Sequence, residues 1–246
     1  MSNALVVIPT YNEIENIERL LRNVFALQRE FDVLIVDDNS PDGTGAAVIA
    51  LMQEFPERLF IEQRAGKMGL GTAYIHGFNW ALERDYEYIF EMDADFSHNP
   101  NDLIRLYNAC AKDGYHMSIG SRYIKGVNVV NWPMSRVLLS WLASKYVRFV
   151  TRMKIYDTTA GFVCYHHSVL RKINLEKIQF VGYAFQIEMK FKAYLAEFKI
   201  VEVPVIFTDR TKGESKMSGG IISEAIFGVL KMKFKSLIGS NNFNEI

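Results

Sequence analysis

A chain of 246 residues with 49% apolar side chains is long enough for one large domain or two small ones around a sizeable core. Its 28 Lys and Arg balance 28 Asp and Glu, so no global field recruits nucleic acid or an acidic surface, and any basic site must be local. Cys110 and Cys164 stand far apart without a CxxC, which speaks against a disulfide framework or a zinc site and for a reducing compartment. No run of about 18 apolar residues is present to span a bilayer, and the apolar opening at 4–8 lacks the length and basic lead-in of a signal peptide.

Ala4-Leu5-Val6-Val7-Ile8 is a continuous apolar run closed by Pro9, which predicts a central parallel strand buried on both faces. Pro9-Thr10-Tyr11-Asn12-Glu13 forms its mouth. Ile17, Leu20, Leu21, Val24 and Leu27 recur at helical spacing within 15–27 and would cover one face of a sheet. Val33-Leu34-Ile35-Val36 predicts the next strand, which ends in Asp37-Asp38-Asn39-Ser40-Pro41-Asp42-Gly43-Thr44 before a helix over 45–54. A third strand follows at 59–63. Strand, polar mouth and helix alternate with short connections, as a doubly wound α/β sheet requires.

Gly66-Lys67-Met68-Gly69-Leu70-Gly71-Thr72-Ala73 turns into a helix over 73–84. The third glycine of a dinucleotide fingerprint is missing and no P-loop Lys-Ser/Thr follows, so a tight turn passing close to the mouth fits better than cofactor binding of the NAD type. The apolar run from Tyr86 then ends in Asp93-Ala94-Asp95. Alternate residues of an extended segment point the same way, which aims Asp93 and Asp95 together. Two carboxylates held 4 Å apart repel by roughly 4 kcal/mol at an effective dielectric of about 20. A divalent cation removes that cost, and Mg2+ or Mn2+ suits one or two carboxylates completed by water and phosphate oxygens. The bland alternative is a solvated loop with two acids. A helix over 102–112 and a strand over 117–120, ending in Ser121-Arg122-Tyr123, follow.

Beyond Gly126 the character changes. Trp132-Pro133 opens a helical segment over 135–152 whose apolar residues are broken by Arg136, Lys145 and Arg148, too polar to span lipid but suited to an interface. Asp157-Thr158-Thr159-Ala160-Gly161 is a polar loop entering a strand over 162–165. Adjacent side chains diverge, so His166-His167 is read as structural rather than metal-binding. A helix runs from Gly182 to Ala196 with Gln186 and Glu188 near its first turn, then a strand over 200–207. A net-basic loop over 208–216 is of the kind that closes over phosphates; an amphipathic helix over 221–238 and a frayed tail at 241–246 complete the chain.

Four separated stretches carry a resemblance: Pro9-Thr10-Tyr11-Asn12-Glu13, the Asp37 to Thr44 segment, Asp93-Ala94-Asp95, and Asp209-Arg210-Thr211-Lys212-Gly213-Glu214-Ser215-Lys216. In this order they resemble family-two glycosyltransferases with the GT-A fold, and in particular the dolichyl- or polyprenyl-phosphate mannosyltransferases, over roughly residues 4–237. The resemblance implies a Rossmann-like, mostly parallel sheet with helices on both faces and C-terminal amphipathic helices. It implies one domain over 1–240, with a nucleotide-sugar half at 1–125 and an acceptor half at 126–240. Pro9, Tyr11, Glu13, Val36 and Asp38 would hold the base and ribose; Asp93, Ala94 and Asp95 the metal-bound diphosphate; Arg210 and Lys216 the phosphates. Arg122 and Arg136, with Ser140, would receive the acceptor phosphate. Some relatives carry a metal-contacting Gln two residues beyond the DxD; here that position is Ser97.

The implied reaction moves mannose from GDP-mannose to a polyprenyl or dolichyl monophosphate with inversion, assisted by Mg2+ or Mn2+, at the cytoplasmic face of a membrane. Asp93, Asp95, Arg122, Arg210 and Lys216 would be the catalytic set. The rivals are a UDP-sugar transferase on the same scaffold, a sugar-nucleotide pyrophosphorylase, disfavoured because no Gly-rich, Lys-containing loop follows the first strand, and a non-catalytic binding module.

Overall fold

Seven strands form the central sheet of the computed structural model, which describes residues 2–182, 184–209 and 219–238, without the side chains of 219–225 and 238. Strands β1 (Ala4–Thr10), β2 (Asp32–Asp37), β3 (Leu59–Gln63) and β4 (Tyr88–Glu91) are parallel, in the order β3-β2-β1-β4. β5 (Met117–Ser121) completes the first half. A two-residue strand, β6 (Val129–Val130), precedes β7 (Val163–His166), which enters antiparallel between β4 and β5. β8 (Ile200–Pro204) pairs parallel with β5 at the far edge. The N-terminal and C-terminal halves of the chain therefore share one sheet.

β1 and β2 are buried along almost their whole length because helices cover both faces, which is why their sequences are continuous apolar runs. β1 runs through Pro9 to Thr10, past the expected end. The β4 ladder has already closed with the Met92 N–H on the Val7 carbonyl, so the missing proline donor costs no rung on that side.

On one face, α1 (Ile17–Phe25), α2 (Thr44–Leu51) and α4 (Asp102–Ala111) bury Ile17, Leu20, Val48 and Leu103 against Ile8, Ile35 and Phe90. On the other, α3 (Leu70–Glu83) and α7 (Ala184–Leu195) set Tyr74, Phe78 and Phe185 against Val7 and Tyr165. α3 lies so close to β1 that a Cβ at Gly77 would collide with Val7. α5 (Met134–Thr151) runs beside α8 (Gly219–Ile238), joined where the Tyr146 hydroxyl donates to the Ile226 carbonyl at 2.9 Å.

Two expectations changed. The strand expected over 200–207 stops at Pro204, and the chain leaves the sheet to pair as β9 (Phe207–Thr208) with β6, which carries Asp209 towards α5. A short helix, α6 (His167–Lys172), was not expected; it is capped by His166, whose Nδ1 accepts the Ser168 N–H at 3.3 Å. The histidine pair thus has a structural role as a helix cap, and among the described residues no group of three or more His, Cys, Asp and Glu is placed to hold a metal.

His166 packs on Tyr88 and faces His167, His116 and Glu87. Burial, with His167 adding repulsion, lowers its pKa below the usual 6.5. The unfolded chain therefore binds the proton first as pH falls, and stability is lost below about 6.5. A His166→Asn variant, which keeps a capping acceptor, is expected to show a smaller stability loss between pH 7.5 and 5.5 in denaturant titrations; an unchanged slope would contradict this.

Candidate active site

The carboxyl ends of β1 and β2 build one wall of a cleft. Pro9 and Val36 are direct neighbours in register, and Tyr11, Glu13 and Asp38 follow them. The two adjacent aspartates divide their work. Asp37 turns inward and accepts the Thr10 hydroxyl at 2.8 Å and the Ser40 N–H at 3.0 Å, bracing the turn. Asp38 instead accepts Arg64 Nε at 2.6 Å, while Arg64 Nη1 donates to the Thr72 hydroxyl at 2.8 Å. The buried ion pair joins the ends of β2 and β3, and the bond to Thr72, whose hydroxyl donates to the Gly69 carbonyl at 2.7 Å, ties them to the glycine turn that opens α3. Lys67, from the same turn, lies 5.2 Å from the Tyr11 ring centroid. Glu13 accepts Asn16 Nδ2 at 3.0 Å and its backbone carbonyl starts α1.

Next to this wall, β4 delivers Asp93, Ala94 and Asp95. Asp93 keeps 37% of its side chain exposed, and Tyr74 donates to its Oδ1 at 3.3 Å. The Asp93 N–H is accepted by His98 Nδ1 at 3.1 Å, which places the ring proton on Nε2, 3.9 Å from Asp93 Oδ2. Burial pushes the His98 pKa down to about 4, so the ring is neutral near pH 7 and leaves the carboxylate charge uncancelled. Asp95 is buried, and its Oδ1 accepts the Ser97 N–H at 3.0 Å. Phe96 takes a left-handed turn, φ 62°, beneath the Arg19 guanidinium at 4.2 Å. Arg19, Asn23, Asp95, Phe96, Thr208 and Asp209 line a cavity of about 300 Å3 here. Two oxygen-bearing acids without a third protein ligand in the described residues suit a hard cation completed by water and phosphate oxygens, so the residues fit Mg2+ or Mn2+.

The opposite wall holds the arginines. Arg122 Nε and Nη2 each bond Asp157 at 2.7 Å, Nη2 also donates to the Thr159 hydroxyl at 2.9 Å, and the Arg122 N–H reaches Asp157 at 2.9 Å. Burial opposes both charges, yet each partner outweighs it: the Arg122 pKa is raised and that of Asp157 lowered. Arg122 was expected to receive an acceptor phosphate, and nothing in the sequence signalled its carboxylate partner. A guanidinium this deeply buried needs a counter-ion, and Asp157 supplies it. Among the described residues Nη1 takes no hydrogen bond. Trp132 lies against both arginines, 5.4 Å from Arg122 and 4.1 Å from Arg136, and Arg136 pairs with Asp209 at 2.7 Å. Phe207 packs edge-on against Trp132 and against His98, which links this wall to the Asp93 turn. Ser140 lies near the Tyr123 hydroxyl beside them. Arg210 and Lys216 lie outside the described residues.

Beneath both walls sits a buried polar network that sequence reasoning did not find. Glu91 accepts Tyr165 at 3.1 Å and Gln186 Nε2 at 2.5 Å; Lys190 donates to the Ala160 carbonyl at 2.6 Å and to the Gln186 carbonyl and Oε1 at 3.2 Å. Burial raises the Glu91 pKa to about 7 and lowers that of Lys190 to about 8. Two residues on from Gln186, Glu188 accepts the N–H groups of Gln179 and Phe180 and braces the loop that precedes α7. Gln186 and Glu188 were visible as polar residues in the first turn of a helix; nothing in their spacing told that they point inward.

A mostly parallel sheet thus carries an acidic pair at its carboxyl edge and two arginines on the facing wall. The profile of glycosyl transferase family 2 matches residues 5–178, and the chain belongs to that family. It is 46% identical over 225 residues to the polyprenol monophosphomannose synthase of Mycolicibacterium smegmatis, covering 92% of this chain and 84% of that protein. It is 45% identical over 227 residues to the undecaprenyl-phosphate mannosyltransferase of Micrococcus luteus, covering 92% of each. Among solved structures, the fold resembles a Pyrobaculum calidifontis mannosyltransferase in complex with GDP-Man and Mn2+, with TM-score 0.61, 17% identity, and coverage of 98% of this chain and 65% of that one. It also resembles the glucosyl-3-phosphoglycerate synthase of Mycobacterium tuberculosis, with TM-score 0.67, 14% identity, and coverage of 94% and 79%.

Proposed function

We propose that this glycosyltransferase moves mannose from GDP-mannose to a polyprenyl monophosphate. The observation that carries this reading is the 46% identity, over nearly the whole chain, to a polyprenol monophosphomannose synthase. The cleft suits the chemistry. A phosphate monoester has a second pKa near 6, so its attacking oxygen is already ionised at neutral pH and no general base is needed. That oxygen bonds the anomeric carbon from one face as the bond to the GDP oxygen breaks on the other, with inversion. Pro9, Tyr11, Glu13, Val36 and Asp38, gathered at the ends of β1 and β2, would hold base and ribose, while Arg122 and Arg136, beside Ser140, orient the acceptor phosphate. A cation on Asp93 and Asp95, with Ser97 beside them, would neutralise the departing diphosphate. Catalysis then rests on positioning and electrostatics.

The test is to supply Mg2+ or Mn2+, a short polyprenyl phosphate and a panel of GDP- and UDP-sugars. Lipid-linked mannose from GDP-mannose is the expected product; transfer only from a UDP-sugar would replace this donor assignment.

No described helix is long and apolar enough to cross a membrane. The acceptor nevertheless lies in one, and α5 and α8 offer a means of reaching it. Met134, Leu142 and Phe149 on α5 and Phe227, Phe234 and Leu237 on α8 are exposed, and Lys145 sits 3.7 Å over Trp141. Such helices lie at the headgroup level, apolar side down, with lysines reaching anionic lipid. The protein is expected to sediment with anionic liposomes, and Phe149→Ser with Phe234→Ser to weaken this; recovery in the supernatant at the level of a soluble control would refute docking.

A further inference from the structure

We propose that Lys190 is the positioning residue for the acceptor-side arginine, acting through the loop 157–161. This rests on the reading of Arg122 as an acceptor-phosphate contact. Lys190 is fully buried on α7, and its three ammonium hydrogens meet three acceptors: the carbonyls of Ala160 and Gln186 and the Gln186 side-chain oxygen. A buried ammonium is costly to keep unless it does something a leucine could not. What it does here is grip a loop.

That loop carries Asp157 and Thr159, the two residues that hold the Arg122 side chain. Its entry is fixed from β8, where Glu202 accepts the N–H of Tyr156 at 2.7 Å and of Asp157 at 2.8 Å. Its exit is fixed by Lys190 on Ala160, at 2.6 Å. Between two clamps the carboxylate has one place, and so has the guanidinium it orients. Because lysine only donates, it also sets the Gln186 amide, turning Oε1 towards itself and Nε2 towards Glu91. The same side chain therefore ties the loop behind Arg122 to the strand that ends in the acidic pair. Fixing the Arg122 guanidinium to within a fraction of an ångström is what its share of acceptor binding needs.

The test compares Lys190→Met with wild type by calorimetry, using geranyl phosphate as one ligand and GDP with Mn2+ as the other. The expected result is at least about a tenfold loss of geranyl phosphate affinity with GDP–Mn2+ affinity within about twofold of wild type, since a clamp on one side of the cleft moves one ligand more than the other. If the single variant does not fold, Lys190→Met with Glu91→Gln removes both buried charges together, and Gln186 is free to turn its amide to the new partner. The same selective loss is expected there. Equal losses for both ligands, or no loss for either, would overturn the positioning role and leave Lys190 as a packing residue. Wild-type protein that binds both ligands but makes no lipid-linked mannose would instead count against the proposed reaction, so the two failures are separable.

Discussion

Replacing Asp95 with alanine is expected to cut transfer by about two to three orders of magnitude, roughly 3–4 kcal/mol of transition-state stabilisation, at saturating Mg2+ or Mn2+. The effect is large because the leaving group is a nucleoside diphosphate, and a single carboxylate, Asp93, is a poorer anchor for its cation than the pair: His98 is neutral and Tyr74 donates only a hydrogen bond. The fold should survive. Asp95 sits in a turn, and its removal relieves repulsion with Asp93 while giving up the bond from the Ser97 N–H, worth about 1 kcal/mol. Turnover and a thermal melt on the same preparation check both halves, and unchanged turnover would remove the acidic pair from the reaction.

The second large effect concerns stability. Asp157→Ala strands a buried arginine, and breaking a buried pair from one side costs about 3–5 kcal/mol. Removing both partners is different: Arg122→Met with Asp157→Ala leaves no orphaned charge, so most of the lost stability should return while affinity for the lipid phosphate does not. Denaturant titrations of the two variants give the first result and acceptor binding the second. A double variant as unstable as the single one would show that Arg122 is held by something other than Asp157.

Much of this was legible because it is local. Apolar runs buried on both faces mark β1, β2 and β4, and each ends at a polar mouth one or two residues later, so the acidic pair and the Pro9 to Glu13 stretch fell where expected. The side-chain pairings that build the walls and floor of the cleft were not local. Arg64 with Asp38, Arg122 with Asp157 and Gln186 with Glu91 join residues 26, 35 and 95 positions apart, and a sheet with a reversed strand decides who meets whom. The same physics separates Asp37 from Asp38: in an extended segment one side chain must face the core, and period alone does not say which. The strand expected over 200–207 failed for a simpler reason, since Pro204 ends the ladder and β6 offers a new one.

The central claim is that a cation on Asp93 and Asp95 and the guanidinium groups across the cleft enclose one small volume in which the two phosphate-bearing substrates meet. The most direct measurement is the 31P relaxation of geranyl phosphate bound together with GDP and Mn2+. Strong Mn2+-dependent broadening of the acceptor phosphorus, lost in Asp95→Ala, is the expected result. Acceptor phosphate that binds with its phosphorus signal untouched by Mn2+ would place the two sites apart and contradict the account.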